Sequence, residues 1–329
     1  MSAKGRILMM LKEAAPAPLS GEALGRSLGL TRAAIWKVIR GLREEGYEIS
    51  SSPRLGYGLI QAPDLLVPAE VEPLLRTRCF GRRGIHHSVE IGSTNDRAKE
   101  LAHGGAPEGT LVVAESQSAG RGRLGRAWAS PGRGGLYLSL ILRPSLAPSE
   151  APQITLLAGV GVCRAINALT PVGAGIKWPN DVLIKGKKVA GILTEMEAEM
   201  DRIHHLIVGI GINVNTRMSF LPRAVRERAT SLLEETGKPI SRKDLLAMVL
   251  AEMEALWAQA ERGGFDAVRA AWKRLNVTLG RRVRIEGMDV AVLGTAMDLD
   301  DRGALLVRAQ DGPLHRIPFG EVSLLSVGE

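Results

Sequence analysis

The sequence predicts an α+β protein with an N-terminal winged helix-turn-helix, a central mixed-sheet α/β domain and a small C-terminal β-barrel. Three observations support this. Helical periodicity and capping residues dominate residues 1–62, strand and helix patterns alternate over 63–275, and short strands separated by turn residues fill 276–329. A chain of 329 residues, 45% of them hydrophobic, can bury the cores of two or three such domains.

The first domain combines helices with a hairpin. Ser20 and Thr31 precede helical patterns as N-caps, and Gly29 and Gly46 stand where these helices should end. The stretch YEISSSPRLGYGL (47–59) predicts two short strands around a Pro-Arg-Leu-Gly turn. A short helix, a turn and a longer helix make a helix-turn-helix, and the hairpin would be its wing.

The charge of this domain indicates a nucleic-acid partner. Nine lysines and arginines against five acids give residues 1–62 a net charge of +4, out of +8 for the chain. The second helix of a helix-turn-helix lies in the major groove, and here that helix is 31–45. The residues expected to face DNA are Arg32, Ala33, Trp36, Lys37, Arg40 and, in the wing, Arg54. A solvated basic helix face is the alternative.

Because one module buries too little surface for a specific operator, we expect a two-fold dimer.

The central domain follows a proline-containing stretch, QAPDLLVPAEVEP, which predicts a linker at 61–73. Strand patterns then occur at 86–91, 109–116, 135–142, 187–197 and 204–215. Helical patterns occur at 94–105, 151–169, 222–235, 241–262 and 265–274. The tail reads as short strands with turns at Glu286-Gly287, Asp301-Arg302-Gly303 and Asp311-Gly312.

Several classes of protein and site are disfavoured. No apolar run reaches the ~18 residues of a membrane span, and the N-terminus does not resemble a secretion signal, so we expect a cytoplasmic protein without a membrane partner. Cys79 and Cys163 lie in no metal or redox spacing, which fits a reducing compartment. The pairs His86-His87 and His204-His205 lie on predicted strands, where neighbours face opposite ways, so we expect no metal site from them.

The stretch GRGRLGRAW (120–128) matches G-x-G-x-x-G, but a dinucleotide site needs a helix at the third glycine and an acid about 20 residues later, and neither follows. Its glycines can bring N–H groups onto an anion, and Arg121, Arg123 and Arg126 add phosphate donors. We expect repulsion between these arginines to disorder the loop when no anion is bound. A solvated basic turn or a DNA contact is the alternative for this loop taken alone.

Four stretches together resemble the biotin protein ligases in order and spacing: GSTN (92–95), ESQSAGRGRLGRAW (115–128), KWPNDVLIKGKKVAGIL (177–193) and GIGINVN (209–215). The segment SGEALGRSLGLTRAAIWKVIRGLREEGYEI (20–49) resembles the winged helix of the bifunctional members, which also repress the biotin operon. The small C-terminal barrel matches as well, so the resemblance covers essentially the whole chain.

The resemblance implies a reaction in two steps. Biotin and ATP give biotinyl-5′-AMP and pyrophosphate, and the biotinyl group then passes to a lysine of the biotin carboxyl carrier protein of acetyl-CoA carboxylase. The carboxylate of biotin is already ionised at pH 7, so the first step needs positive charge and not a general base. Lys177, Arg121 and Arg123 can supply that charge, with Mg²⁺ on the phosphates of ATP.

The resemblance also implies the residues of the site. The biotin-binding residues would be Ser93, Thr94, Asn95, Gln117, Arg121, Gly122, Arg123 and Lys177. The candidate nucleotide contacts are Arg123, Arg126, Lys188 and Asn213. Apolar contact for the valeryl chain would come from around Leu193 and Ile210, while Arg126 and Trp128 would position the loop. Asp181 is a candidate to orient or deprotonate the acceptor lysine, and Phe220 is the one aromatic residue that the stretch after Asn213 offers to adenine.

In the family the adenylate acts as corepressor and promotes dimerisation, so operator DNA and a homodimer in the adenylate-bound state are implied partners. Two alternatives stay open. One is a ligase whose winged helix no longer regulates. The other is a ligand-sensing repressor without catalysis, or a lipoate-type ligase of the same superfamily. The complete GRGRLGR loop together with Lys177 favours a working biotin ligase.

Overall fold

The structure is a computed structural model that describes residues 3–286, 291–310 and 312–325. The chain forms two compact units, Met1–Pro73 and Leu74–Glu329. The first unit contains the stretch that the sequence predicts to be a linker. That stretch is not wholly extended, because Pro68 begins a short helix whose Glu70 is buried and accepts a hydrogen bond of 2.7 Å from the Tyr47 hydroxyl. Lys12 lies 2.8 Å from the same carboxylate.

The first unit is a winged helix-turn-helix, as predicted. Its elements are α1 (Ala3–Ala14), α2 (Gly21–Leu28), α3 (Arg32–Glu44), β1 (Glu48–Ser52), β2 (Gly56–Gln61) and α4 (Pro68–Val71). Ser20 caps α2 by accepting from the Ala23 amide (3.0 Å), and Thr31 caps α3 by accepting from the Ala34 amide (3.2 Å). Gly29 ends α2 in the left-handed region, at φ 67°. Strands β1 and β2 pair antiparallel as the wing.

A mixed seven-stranded sheet forms the centre of the second unit. Its strands are β3 (Ile85–Ile91), β4 (Leu111–Gln117), β5 (Gly135–Leu142), β6 (Gly175–Lys177), β7 (Asp181–Ile184), β8 (Lys187–Ala198) and β9 (Ile203–Asn213), in the order β3-β4-β5-β9-β8-β7-β6. The β3–β4 pair is parallel and the other pairs are antiparallel, which confirms the predicted mixed sheet. The sequence patterns indicated a β-like stretch at 174–176, where β6 lies, but missed β7, whose four residues are too short to show a periodicity.

Helices pack beside this sheet. They are α5 (Thr94–His103), α6 (Pro152–Leu169), α7 (Arg223–Arg226), α8 (Leu232–Thr236), α9 (Arg242–Gly263) and α10 (Asp266–Leu275). Ala98 and Ala102 of α5 pack against Val112, Ile141 and Ile207 of three neighbouring strands. The segment Pro148–Leu169 is long and apolar enough to cross a membrane by composition. Two thirds of its most apolar 18-residue stretch is buried inside the unit, however, as in a core helix.

One predicted helix is wrong. The segment 222–235 is not a single helix but the two short helices α7 and α8. Between them the chain runs alongside Lys188, whose amide donates to the Arg228 carbonyl and whose carbonyl accepts from the Thr230 amide, both at 2.9 Å. Ser231 then caps α8 by accepting from the Glu234 amide. A long-range backbone contact therefore replaces helical hydrogen bonds that the local pattern favours.

The sequence predicts a small β-barrel for the tail, and the structure shows a five-stranded antiparallel sheet there, which confirms the all-β character of this region. Its strands are β10 (Arg282–Glu286), β11 (Val292–Leu299), β12 (Leu305–Ala309), β13 (Leu314–Ile317) and β14 (Glu321–Leu324), in the order β13-β12-β11-β10-β14. The predicted turn at 301–303 is present, with Gly303 at φ 82°. The predicted turns at Glu286-Gly287 and Asp311-Gly312 extend onto Gly287 and Asp311, which lie outside the described residues.

Candidate functional site

The floor of the candidate site is a part of the central sheet that carries glycines instead of side chains. Gly191 of β8 and Gly211 of β9 are cross-strand partners, and Gly209 lies two residues before Gly211 on the same face. A Cβ at Gly211 would lie 2.5 Å from the Trp128 indole, and one at Gly209 would lie 2.1 Å from Asn95 Oδ1. The glycines therefore leave room for two side chains that reach onto the sheet from outside it.

A polar cluster stands at the start of α5. The Thr94 amide donates to Gln117 Oε1 (2.9 Å), and the Gln117 amide group donates to the Ser130 hydroxyl (2.9 Å). The Ser139 hydroxyl donates to Asn95 Oδ1 (2.6 Å), while Asn95 Nδ2 donates to Glu195 (2.6 Å). These side chains hold one another in fixed orientations, which is what recognition of a small polar group requires.

The stretch 120–128 forms a tight hairpin over this floor. The Gly122 amide donates to the Arg126 carbonyl (2.7 Å), and the Trp128 amide donates to the Gly120 carbonyl (2.8 Å). Of the three glycines of the loop, Gly125 has a positive φ of 72°. Gly120 serves a different purpose, because a Cβ there would lie 2.5 Å from the Trp128 carbonyl oxygen. The glycines therefore close the hairpin as well as freeing its backbone.

Each arginine of the loop has its own partner, which offsets the mutual repulsion expected from the sequence. Arg121 lies 2.5 Å from Asp96 and 3.2 Å from Glu195. Arg123 donates to Asn180 Oδ1 (3.2 Å). Arg126 contacts both carboxylate oxygens of Glu321, on β14, at 2.5 Å each. A dependence of loop order on a bound anion stays a prediction.

The stretch KWPND is the turn between β6 and β7. Lys177 and Asp181 are cross-strand partners at its base. Trp178 is buried at 2% exposure, and its indole N–H donates to the Gly303 carbonyl (3.1 Å), which anchors the turn to the region of the C-terminal sheet. The Asn180 side-chain amide donates to the Ile192 carbonyl (2.8 Å). This bond fixes the orientation of Asn180 Oδ1, which accepts from Arg123.

The electrostatics of the cavity favour an anion. Burial lowers the pKa of the Lys177 ammonium, and the nearby charges of Lys188 and Arg126 lower it further, against the opposite effect of Asp181 and Glu321. Burial also lowers the pKa of the Arg123 guanidinium. Positive charge that is held in a partly desolvated place interacts strongly with a bound anion.

The structure brings the predicted site residues together. All eight predicted biotin-binding residues line one cavity of about 160 Å³. Arg126 and Lys188, two further nucleotide candidates, also line it, as do Leu193 and Ile210. Asn213 lines a neighbouring cavity of about 660 Å³, which shares Arg126, Trp128, Lys177 and Lys188 with the first. Asn213 is buried, and its Nδ2 donates to the Thr230 carbonyl (3.1 Å).

Some residues of the site were not singled out from the sequence. Gly191, Asn180 and Glu321 line the cavity, but their distances along the chain from the glycine-arginine loop hide this. Trp128, which we expected only to position the loop, has a buried indole N–H with no hydrogen-bond partner among the described residues. Phe220 lines neither of these two cavities and is 72% exposed. Asp181 lies 2.6 Å from Lys188.

The predicted DNA-facing residues are all exposed on the first unit. Arg32, Ala33, Trp36, Lys37 and Arg40 of α3 are exposed, as is Arg54 in the turn of the wing. The Trp36 indole is 54% exposed, and the Arg40 guanidinium lies 5.7 Å from its ring centroid. Ile35, Ile39 and Leu42, on the opposite face of α3, are buried in the core of the unit.

Comparison with known families matches three regions of the chain. Residues 5–58 match an HTH domain, residues 89–213 match the biotin/lipoate A/B protein ligase family, and residues 278–325 match the biotin protein ligase C-terminal domain. The middle match contains the polar cluster, the glycine-arginine loop and the turn at Lys177.

Individual relatives extend this similarity over nearly the whole chain. The bifunctional ligase/repressor BirA of Bacillus spizizenii is 40% identical over 93% of this chain and 94% of its own length. BirA of Escherichia coli is 33% identical over 93% of each chain. The structure of the biotin protein ligase from Aquifex aeolicus in complex with biotin and ATP superposes with a TM-score of 0.64, at 34% identity, over 74% of this chain and 99% of that chain. The chain therefore belongs to the biotin protein ligase family, in the group of bifunctional ligase/repressor proteins.

Proposed function

We propose that the cavity makes biotinyl-5′-AMP from biotin and ATP, and that the enzyme then transfers the biotinyl group to a lysine of the biotin carboxyl carrier protein of acetyl-CoA carboxylase. One observation carries the proposal. Lys177 and the three loop arginines line the same cavity as the polar cluster Ser93, Thr94, Asn95 and Gln117. The cavity thus joins a site for a small polar head group to a site for a polyanion.

In the first step a carboxylate oxygen of biotin attacks the α-phosphorus of ATP, the new P–O bond forms, and pyrophosphate leaves. The ureido ring has two N–H donors and a carbonyl acceptor, which suit the amide and hydroxyl groups of the polar cluster. Leu193, the cross-strand partner of Gly209, gives apolar contact to the valeryl chain, whereas Ile210 lies between the two floor glycines of β9 and so faces the other side of the sheet. Lys177, Arg121 and Arg123 offset the repulsion between the two anions and stabilise the charge that develops at phosphorus.

The larger neighbouring cavity takes the nucleotide, with Arg126 and Lys188 on the phosphates and Asn213 beside them. The indole N–H of Trp128, which has no hydrogen-bond partner in the described part of the chain, favours a hydrogen-bond acceptor on the ligand at the junction of the two cavities. The site also offers oxygen ligands that suit Mg²⁺, because the carboxylates of Asp181 and Glu321 line both cavities. The ion would neutralise phosphate charge.

The second step needs the acceptor lysine as a neutral amine, although a free lysine has a pKa of about 10.4. Asp181 orients this amine or accepts its proton. The nitrogen attacks the carbonyl carbon of the mixed anhydride, the new C–N bond forms an amide, and the bond from that carbon to the bridging oxygen breaks, so AMP leaves with this oxygen on its phosphate. Closure of the glycine-arginine loop keeps water from the anhydride in the interval.

The first unit acts as a DNA-binding repressor of biotin synthesis, with α3 in the major groove and the wing against the backbone. The adenylate serves as corepressor, because a filled cavity favours a homodimer that presents two modules to a two-fold operator. This function places the protein in the cytoplasm, where both ATP and the operator are found. The exposed, basic face of α3 supports this part of the proposal.

The ligase activity is tested by incubating the purified protein with biotin, Mg-ATP and a purified biotin carboxyl carrier domain. A mass increase of one biotinyl group on the acceptor, lost when its lysine is replaced, is the expected result. Lipoate supplied in place of biotin tests the lipoate-type alternative. A mass increase with lipoate and none with biotin would overturn the assignment of substrate.

The repressor activity is tested by a gel shift on DNA from the promoters of the organism's biotin-synthesis genes. We expect a tight shift with biotin plus Mg-ATP, but not with biotin alone, and its loss in Lys177→Ala. A protein that makes the adenylate but shifts no promoter under any condition would be a ligase whose winged helix does not regulate biotin synthesis. A tight shift by a protein that makes no adenylate would identify a ligand-sensing repressor.

A further inference from the structure

Three side chains that could bind a metal converge away from the adenylation cavity. His103 ends α5, Glu197 lies on β8, and His205 lies on β9. Their ligand atoms all lie within 4.8 Å of one another. His103 Nε2 contacts a carboxylate oxygen of Glu197, and His205 Nε2 lies 3.6 Å from that same oxygen. None of the three lines the cavity that contains Lys177.

The fold explains why residues so far apart in the chain meet here. Glu197 and His205 are cross-strand partners in the β8–β9 pair. Ala102, which precedes His103, packs onto the same sheet beside Ile207. The two imidazole rings meet edge to face, with centroids 5.0 Å apart and planes at 86°. Packing of α5 on the sheet thus fixes the end of the helix next to this strand pair.

The ligand set indicates the class of ion. Two imidazole nitrogens and one carboxylate oxygen suit a divalent transition metal and above all Zn²⁺, whereas Ca²⁺ and Mg²⁺ prefer oxygen ligands alone. A tetrahedral zinc ion with bonds of about 2.0–2.1 Å places neighbouring ligand atoms about 3.3 Å apart. The observed separations require side-chain shifts of about 1 Å or less to reach this geometry.

The surroundings leave one coordination position open to solvent. His103 and Glu197 are half-exposed, with 59% and 51% of their side chains accessible, whereas His205 is buried at 5%. His204, next in the chain, points to Glu199 instead. Arg143 carries a positive charge near the cluster, and its guanidinium donates to the carbonyl oxygens of Ala102, Ala106 and His204. Its charge weakens the binding of a cation without blocking access.

We propose that His103, Glu197 and His205 bind one Zn²⁺ ion, with water as the fourth ligand. The ion would tie the end of α5 to the β8–β9 pair. The same elements carry Thr94 and Asn95 at the start of α5 and the glycine floor on β8 and β9. Bound zinc therefore stabilises the elements that frame the adenylation cavity without taking part in the reaction. The sequence concealed this site, because only one member of the pair His204-His205 belongs to it.

The test uses the full-length protein, freed of metal with a chelator, in the absence of biotin and ATP, so that its result is independent of the ligase function. Zn²⁺ is titrated calorimetrically into wild type and into His103→Gln, Glu197→Gln and His205→Gln. His204→Gln is the matched control, since it alters the neighbouring histidine that faces Glu199. Thermal unfolding with and without Zn²⁺ gives a second readout on each variant.

We expect one saturable Zn²⁺ site in wild type and in His204→Gln, with a raised melting temperature on binding. Affinity should fall at least tenfold in His103→Gln, Glu197→Gln and His205→Gln. The side chains of His103 and Glu197 lie at the surface, so their replacement leaves the core of the fold intact. The proposal is overturned if wild type shows no saturable site, if His103→Gln binds as tightly as wild type, or if His204→Gln loses affinity equally.

Discussion

The indole ring of Trp128 occupies the space that a side chain at Gly211 would need. A Cβ at Gly211 would lie 2.5 Å from both Cε2 and Nε1 of the ring, and a Cβ at its cross-strand partner Gly191 would lie 3.0 Å from Cζ3. The depth at which the glycine-arginine loop sits on the sheet is therefore set by the absence of two side chains from the floor.

This relationship predicts the effect of one methyl group. Gly211→Ala should push Trp128 outward, displace the arginines of the loop with it, and lower kcat/KM for adenylate formation at least tenfold, because misplacement of about 1 Å can cost ~100-fold in rate. Gly263→Ala is the matched control, since its Cβ meets nothing within 4 Å. Equal activity of Gly211→Ala and Gly263→Ala would show that the contact does not position the loop.

The lowered pKa of Lys177 predicts a shift in the pH dependence of adenylation. The reaction needs the charged ammonium, and burial brings its pKa below the ordinary 10.5, so activity should fall as the pH rises through this lowered value. The profile of kcat/KM for ATP reports ionisations of the free enzyme, in which this pKa applies. Lys177→Arg should move the alkaline limb to higher pH, because arginine keeps its charge. If the alkaline limb stays at the same pH in Lys177→Arg, the ionisation that causes it belongs to another group.

The exposed face of α3 predicts a salt-dependent effect on DNA binding. Arg32→Ala should weaken operator binding and make the plot of log affinity against log salt concentration shallower by about 1, if Arg32 neutralises one phosphate. Arg6→Ala removes an exposed arginine from α1 and serves as the control. A fluorescence anisotropy titration at several salt concentrations measures both quantities. Equal losses in the two variants would indicate a general charge effect and not a docking face.

A buried ion pair predicts a large cost in stability. Arg242, at the start of α9, lies 2.7 Å from Glu115 on β4, and both side chains are at most 4% exposed. Arg242→Ala leaves a carboxylate buried without this partner, so the free energy of unfolding should fall by about 3–5 kcal/mol. Arg223→Ala, which breaks the exposed pair with Glu227, should cost less than about 1 kcal/mol. Urea unfolding followed by tryptophan fluorescence measures both, and a cost below 1 kcal/mol for Arg242→Ala would contradict the argument.

The sequence predicts those parts of the fold that local chemistry determines. Ser20 and Thr31 cap their helices as expected, and β5 spans the predicted 135–142, because capping residues and hydrophobic periodicity act within a few residues. The break between α7 and α8 was missed because Lys188, some forty residues earlier in the chain, causes it. Local patterns carry no information on such pairings.

The same division applies to the site. The motifs around Thr94, Arg123 and Lys177 supply the residues that line the cavity, since each motif lies in one short stretch. The contact between Arg126 and Glu321 joins positions 195 residues apart, and the fit of Trp128 on Gly211 depends on strand register. Both relationships arise only when the sheet and the C-terminal strands are assembled, so no sequence motif predicts them.

The most direct test of the central claim is biotin-dependent release of pyrophosphate from Mg-ATP, measured together with the biotinyl-5′-AMP formed, in wild type, Lys177→Ala and Lys177→Arg. We expect stoichiometric adenylate from wild type and a rate lower by about 100- to 1000-fold in Lys177→Ala, the usual cost of removing a group that stabilises developing charge. Lys177→Arg should retain more activity than Lys177→Ala. A Lys177→Ala enzyme within twofold of the wild-type rate would contradict the assignment of this cavity and this lysine to adenylation.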